Sequence, residues 1–158
     1  MAIDIWGCAP LLQVFDMPAA VHFYRDVLGF DLVSTSQPGD HFDWALLSLN
    51  GVGLMLNTAY EQDNRPPVPD PARVAAHGDT CLFFGLKDLD GAYRHLRAHG
   101  VHVKEPVIAH YGMKQLGVRD PDGYNLCFQW PASGKTRDQW REWYGLEFEK
   151  RDATAPNW

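Results

Sequence analysis

Cysteine is scarce in this chain: three among 158 residues, Cys8, Cys81 and Cys127, odd in number and far apart. Such a set builds neither a disulfide framework nor a Cys-x-x-Cys pair, and a reduced, cytoplasmic protein is expected. Positive charge is also short. Fourteen Lys and Arg stand against 20 Asp and Glu, a net charge of -6. No basic patch is large enough to neutralise a row of phosphates, which argues against a nucleic-acid partner. No apolar run approaches the ~20 residues that a membrane span needs, so no membrane partner is expected either. Met1-Ala2-Ile3-Asp4 has neither a charged nor an apolar leader region, and no secretory signal is expected. Glycine-rich phosphate loops and Gly-x-Ser-x-Gly are missing. Gly134-Lys135-Thr136 copies the end of a Walker A motif, but without its preceding spacing or strand.

What is present is globular. Hydrophobic residues make up 46% and charged residues 22%, while Gly 14 and Pro 11 promise many turns. Cys8 to Phe15 reads as a strand. Asp16-Met17-Pro18 then opens a helix, with Asp16 as cap and proline in the first turn. Ala20, Phe23, Tyr24, Val27 and Leu28 form its apolar stripe, and Gly29 ends it. Strands follow over 30–35, 42–49 and 52–57, the last two joined by an Asn50-Gly51 hairpin. Residues 58–78 are extended and rich in proline. They read as a linker with a short helical turn near Ala72 to Ala76, and a connection this long is expected to join modules or cover a site.

After the linker the plan repeats. A strand at 80–86 precedes a helix capped by Asp88 and striped by Leu89, Ala92, Tyr93 and Leu96, which ends at Gly100. Strands are predicted over 101–107, 113–118 and 124–130, with Asp120-Pro121-Asp122-Gly123 turning into the last one. Each half therefore reads βαβββ, an internal duplication. The predicted class is α+β: a first module over 8–57, a linker over 58–78, a second module over 79–130, and a tail over 131–158. In the tail, Thr136 to Gln139 fits a helix start, and Trp140, Trp143 and Tyr144 share one face. That aromatic face needs cover, from its own barrel or from a partner subunit.

Two stretches carry a resemblance. Phe23-Tyr24-Arg25-Asp26-Val27-Leu28-Gly29-Phe30 and Asp120-Pro121-Asp122-Gly123-Tyr124-Asn125-Leu126 resemble the two signatures of the vicinal oxygen chelate superfamily. That superfamily holds glyoxalase I, fosfomycin resistance enzymes, extradiol dioxygenases, methylmalonyl-CoA epimerase and the metal-free bleomycin resistance proteins. The resemblance covers roughly residues 8–130. It implies two modules forming a curved, barrel-like mixed sheet around a cavity, while leaving the chemistry open. It also implies where metal ligands belong: a His on each module's first strand and a Glu on its last. Carried over, those positions fall on Ala9, Met55, Cys81 and Cys127. None is His, Asp or Glu, so the resemblance points to the metal-free, bleomycin-resistance-like branch, and neither metal nor other cofactor is predicted. Thiolates at Cys81 and Cys127 could take zinc if a third ligand joined them.

Alternation along the last strand sets Tyr124, Leu126, Phe128 and Trp130 against the helices and Asn125, Cys127 and Gln129 toward the cavity. The same parity sends Leu11 and Gln13, Met55 and Asn57, and Cys81, Phe83 and Gly85 inward. Trp44 and Tyr111 are added as packing rings, although Phe42-Asp43-Trp44-Ala45-Leu46 does not reveal its own parity. The candidate ligand-binding set is thus Gln13, Trp44, Met55, Asn57, Cys81, Phe83, Tyr111, Cys127 and Gln129. Such a lining suits a moderately apolar small molecule held by a few hydrogen bonds. The seven histidines look mainly structural. His22, His95, His99 and His102 read as solvated, and His77 lies in the linker. Only His41 and His110 are placed near the pocket mouth. The leading reading is a small-molecule-binding homodimer. The alternative is a metal-dependent lyase, isomerase or dioxygenase with relocated ligands such as His41, His110 or Glu61. A purely structural interaction module is a third, weaker reading, because the cavity face carries polar groups.

Overall fold

The computed structural model describes residue 3, residues 7–58, residue 60 and residues 64–133. The first half gives β1 (Leu11–Val14), α1 (Met17–Val21), β2 (Asp31–Thr35), β3 (Trp44–Leu49) and β4 (Val52–Thr58). A linker helix, α2 (Pro71–His77), leads to β5 (Cys81–Gly85), α3 (Leu89–Ala98), β6 (Val107–Ile108), β7 (Met113–Arg119) and β8 (Asn125–Pro131). The strands form two four-stranded sheets of matching order, β1-β4-β3-β2 and β5-β8-β7-β6. In each, the first strand pairs parallel with the last, and the remaining pairs are antiparallel. The class is α+β, with two sheets of one plan and no closed barrel among the described residues. The expected C-terminal helix and Glu61 lie outside the described residues.

Three elements depart from the sequence reading. β1 starts at Leu11 rather than Cys8, because Pro10 has no N–H to give a ladder. Its carbonyl still accepts from Met55 N at 2.8 Å. The first helix is α-helical only to Val21. From His22 to Val27 it widens into a π-helix, in which Leu28 N reaches back five residues to Phe23 O at 3.0 Å. The wider turn accommodates the adjacent rings of Phe23 and Tyr24, both buried and edge-on at 5.2 Å. The strand expected over 101–107 shrinks to Val107–Ile108, since Pro106 interrupts the donors that a ladder requires. The linker turn is real and longer than expected: Asp70 caps α2 through Ala72 N at 2.9 Å.

One core serves both sheets. Leu12, Val14, Tyr24, Leu47, Leu54 and Leu56 from the first half join Leu89, Leu96, Leu116, Val118 and Leu126 from the second. Polar ties cross between the halves. Tyr24 Oη donates to Asp120 Oδ2 at 2.8 Å, Phe15 N donates to Asp122 Oδ1 at 2.6 Å, and Gln13 N donates to Tyr124 Oη at 3.1 Å. The His95 ring, expected to be solvated, lies 2.8 Å from Val27 O through Nε2.

The two open sheet faces

Strand register sorts the candidate residues into two groups. In the first sheet, Gln13 pairs with Asn57 and Asn57 with Trp44, while Leu11 pairs with Met55 and Met55 with Leu46. Partners across a ladder share a face, so Trp44 joins Gln13, Met55 and Asn57. The opposite face, with Leu12, Val14, Leu54 and Leu56, is buried in the core. Asn57 Nδ2 donates to Gln13 Oε1 at 3.2 Å, so each amide holds the other's orientation while part of each remains accessible.

In the second sheet, Cys81 pairs with Asn125, Phe83 with Cys127, and Gly85 with Gln129. β7 adds Arg119, Gly117 and Gln115 opposite those same β8 residues. Gln115 was not among the sequence candidates, yet its Nε2 donates to Gln129 Oε1 at 2.9 Å and to Tyr111 Oη at 2.7 Å. That chain of bonds brings Tyr111 to the face that holds Gln129. Phe83 is 59% exposed, and Cys81 is exposed beside a half-buried Cys127. Burial raises the pKa of both thiols above the ordinary thiol value, and the Cys81 sulfur raises that of Cys127 further. Gln129, though largely buried, keeps its amide inside this polar row.

The nine candidates therefore fall into two groups, Gln13, Trp44, Met55 and Asn57 on the first sheet and Cys81, Phe83, Tyr111, Cys127 and Gln129 on the second. A cavity of about 10 Å³, room for one water, lies elsewhere, between Phe15, Tyr60, α2 and Asp122. Its walls show the linker's role. The His77 ring stacks on Tyr124 at 4.1 Å with 9° between planes, and its Nδ1 donates to Asp122 O at 2.7 Å. Asn125 Nδ2 donates to Gly78 O at 2.6 Å, and Arg65 pairs with Asp16 at 2.9 Å while covering the Phe15 ring. The carboxyl of Asp120 accepts from Tyr24 Oη, Asp122 N and Tyr124 N, and burial nevertheless raises its pKa.

The family's metal positions do not fit a catalytic divalent ion. Ala9 offers no donor, Met55 stands on the first sheet, and Cys81 and Cys127 stand on the second. Hard ions want carboxylate and imidazole, which these positions lack. Among the described residues, no three His, Cys, Asp or Glu side chains come together to hold a metal. His41 sits exposed before β3, its carbonyl accepting from Gln37 Nε2, and His110 lies edge-on to Tyr111 at 5.1 Å. No helix among the described residues is long and apolar enough to cross a membrane.

Comparison with known proteins agrees with this architecture. Residues 8–128 match the model of the Glyoxalase/Bleomycin resistance protein/Dioxygenase superfamily. The uncharacterized protein YaeR of Escherichia coli is 32% identical over 114 residues, which are 70% of this chain and 84% of that one. A glyoxalase/bleomycin resistance protein/dioxygenase from Nocardioides superposes with a TM-score of 0.63 at 20% identity, covering 86% of this chain and 90% of that one. TnmS3, an antibiotic binding protein from Streptomyces sp. CB03234, is 28% identical with a TM-score of 0.56, over 83% of this chain and 98% of that one.

Proposed function

This chain belongs to the Glyoxalase/Bleomycin resistance protein/Dioxygenase superfamily, and on that premise we propose that it binds a small, moderately apolar organic molecule without a catalytic divalent metal. One observation carries the reading. Each sheet turns one face to the core and leaves the other accessible, and each accessible face sets an amide pair, Gln13–Asn57 or Gln115–Gln129, beside aromatic rings. Paired amides already satisfy part of their hydrogen-bonding capacity. Their remaining donors and acceptors orient a ligand, while Trp44, Phe83 and Tyr111 supply apolar contact. The likeness to an antibiotic binding protein supports this class of ligand. Sequestration needs no general acid, nucleophile or metal, which suits a face of amides, thiols and rings. The working form is a homodimer in the cytoplasm, where the three thiols stay reduced.

The test is a titration of intrinsic fluorescence with uncharged aromatic antibiotics, comparing the wild type with Trp44→Phe and Cys127→Trp. Saturable quenching in the wild type, lost in Cys127→Trp at unchanged melting temperature, is expected. Quenching that survives Cys127→Trp removes the second sheet from the site, and no saturable signal with any compound overturns the reading. Metal analysis of protein purified without added metal provides a separate check. Stoichiometric Zn, Fe, Mn, Co or Ni, lost on substituting Cys81 and Cys127, would contradict it.

A further inference from the structure

The second sheet carries two sulfurs where the organic-ligand reading needs only a surface. Cys81 and Cys127 lie on neighbouring parallel strands, and their ladder partners are Asn125 and Phe83. The two thiols are therefore diagonal neighbours, one pleat apart on the same face. Diagonal neighbours across a strand pair stand ~7–8 Å apart at Cα. That is wide for an unstrained disulfide, whose Cα atoms usually lie within ~7 Å. A thiophilic atom is a better bridge. With bonds of ~2.3 Å to each sulfur and the angle of about 100° of a pyramidal three-bonded centre, it holds the two sulfurs ~3.5 Å apart, a gap that side-chain rotations toward one another can set.

The surroundings leave room for such an atom and for a group attached to it. Cys81 is exposed. Gly117 stands opposite Cys127 on β7, and a Cβ placed there meets nothing within 4 Å. Phe83, the ladder partner of Cys127, offers a ring that is 59% exposed as one wall. Two thiols satisfy only half of a tetrahedral zinc site. They do satisfy a soft centre that needs two sulfurs and brings its own organic substituent.

The geometry points to a dithiol trap: Cys81 and Cys127 capture monosubstituted trivalent arsenicals, and Phe83 packs on the substituent. With an arsine oxide, two As–S bonds form and the arsenic–oxygen bond breaks. The oxygen leaves as water with the two thiol protons, and arsenic stays trivalent, so no oxidant or reductant is required. The proposal rests on the preceding reading only in taking this face as open to ligands.

Phenylarsine oxide added to the full chain tests it, followed by intact mass under challenge with thiols. One phenylarsenic group per chain is expected, retained against excess 2-mercaptoethanol and removed by dithiothreitol. Cys81→Ser and Cys127→Ser should each lose the adduct to the monothiol, while Cys8→Ser should retain it. Phe83→Ala should release phenylarsenic more readily than the wild type does. An adduct stripped from the wild type by monothiol, retained without Cys81, or dependent on Cys8 overturns the proposal. If Cys127→Ser unfolds by circular dichroism, Cys81→Ser on edge strand β5 decides alone. Capture without any antibiotic-induced quenching would remove the organic-ligand reading and leave the trap standing. Quenching without capture would do the reverse.

Discussion

At Asp122, one carboxylate oxygen accepts the Phe15 N–H at 2.6 Å while the residue's own carbonyl takes the His77 ring N–H at 2.7 Å. Burial pushes this carboxyl up to about 6, and the neighbouring Asp120 pushes the same way. An unfolded Asp titrates near ~3.9. Between those values the folded chain holds a proton that the unfolded chain has released. The group's contribution to stability is therefore fullest below about 4 and falls as pH rises through about 6, with no further change above. Asp122→Asn keeps an oxygen for Phe15 and removes the charge. It should raise the melting temperature at pH 7.5 by more than at pH 5, and an equal shift at both values would refute the assignment. Single residues were unevenly legible in the sequence. Strict alternation along β8 separated Leu126, 1% exposed, from Cys127 and Gln129 on the other face. Trp44 showed no such pattern, and its face follows only from its pairing with Asn57. His77 was unreadable because its partner is 45 positions away. The β8 parity has a direct consequence: Leu126→Asp puts a charge into the core and should abolish folding, whereas Cys127→Trp should be tolerated.

At the scale of elements, helix starts and tight turns were legible because their chemistry is local. Asp16, Asp70 and Asp88 each cap a helix through a backbone N–H two or three residues on. The π-helix was not legible: stripe spacing tolerates either helix, and the choice depends on seating Phe23 and Tyr24 in a core shared with Phe30 and Phe84. β6 was overestimated because apolar alternation over 101–107 says nothing about whether a neighbouring strand is within reach. The turn before β8 yields a sharp expectation. Gly123 has φ +92°, and a Cβ there would stand 2.6 Å from the Val74 carbonyl oxygen of α2. Gly123→Ala should therefore cost roughly 1–3 kcal/mol from backbone strain, with the overlap on α2 added. Gly117, where a Cβ meets nothing, should accept alanine with little change in melting temperature. Denaturant midpoints of the two variants measure the difference, and equal losses would contradict both the strained turn and the close approach of α2.

For the whole molecule, duplication of the βαβββ plan was the most legible feature, and the assembly was the least. Sequence alternation places Gln13 and Gln129 on inner faces but cannot tell whether the faces meet within one chain or across two. Here Leu11, Phe83, Val107, Ile108 and Tyr111 remain 44–67% exposed. Where such side chains gather into one contiguous patch, they usually mark an interface. Light scattering at micromolar concentration should give twice the chain mass, and a monomer would remove the homodimer from the functional reading. The linker has one more consequence. Arg65, α2 and Gly78 bind it to both halves, while Pro66 to Asp70 between them are mostly exposed. A break in that short stretch would leave the polypeptide in two pieces that still share one core and the ties at Tyr24–Asp120 and Phe15–Asp122. Separately expressed halves should accordingly find one another and reconstitute, making this chain a natural candidate for a split reporter whose reassembly follows the proximity of whatever is fused to it.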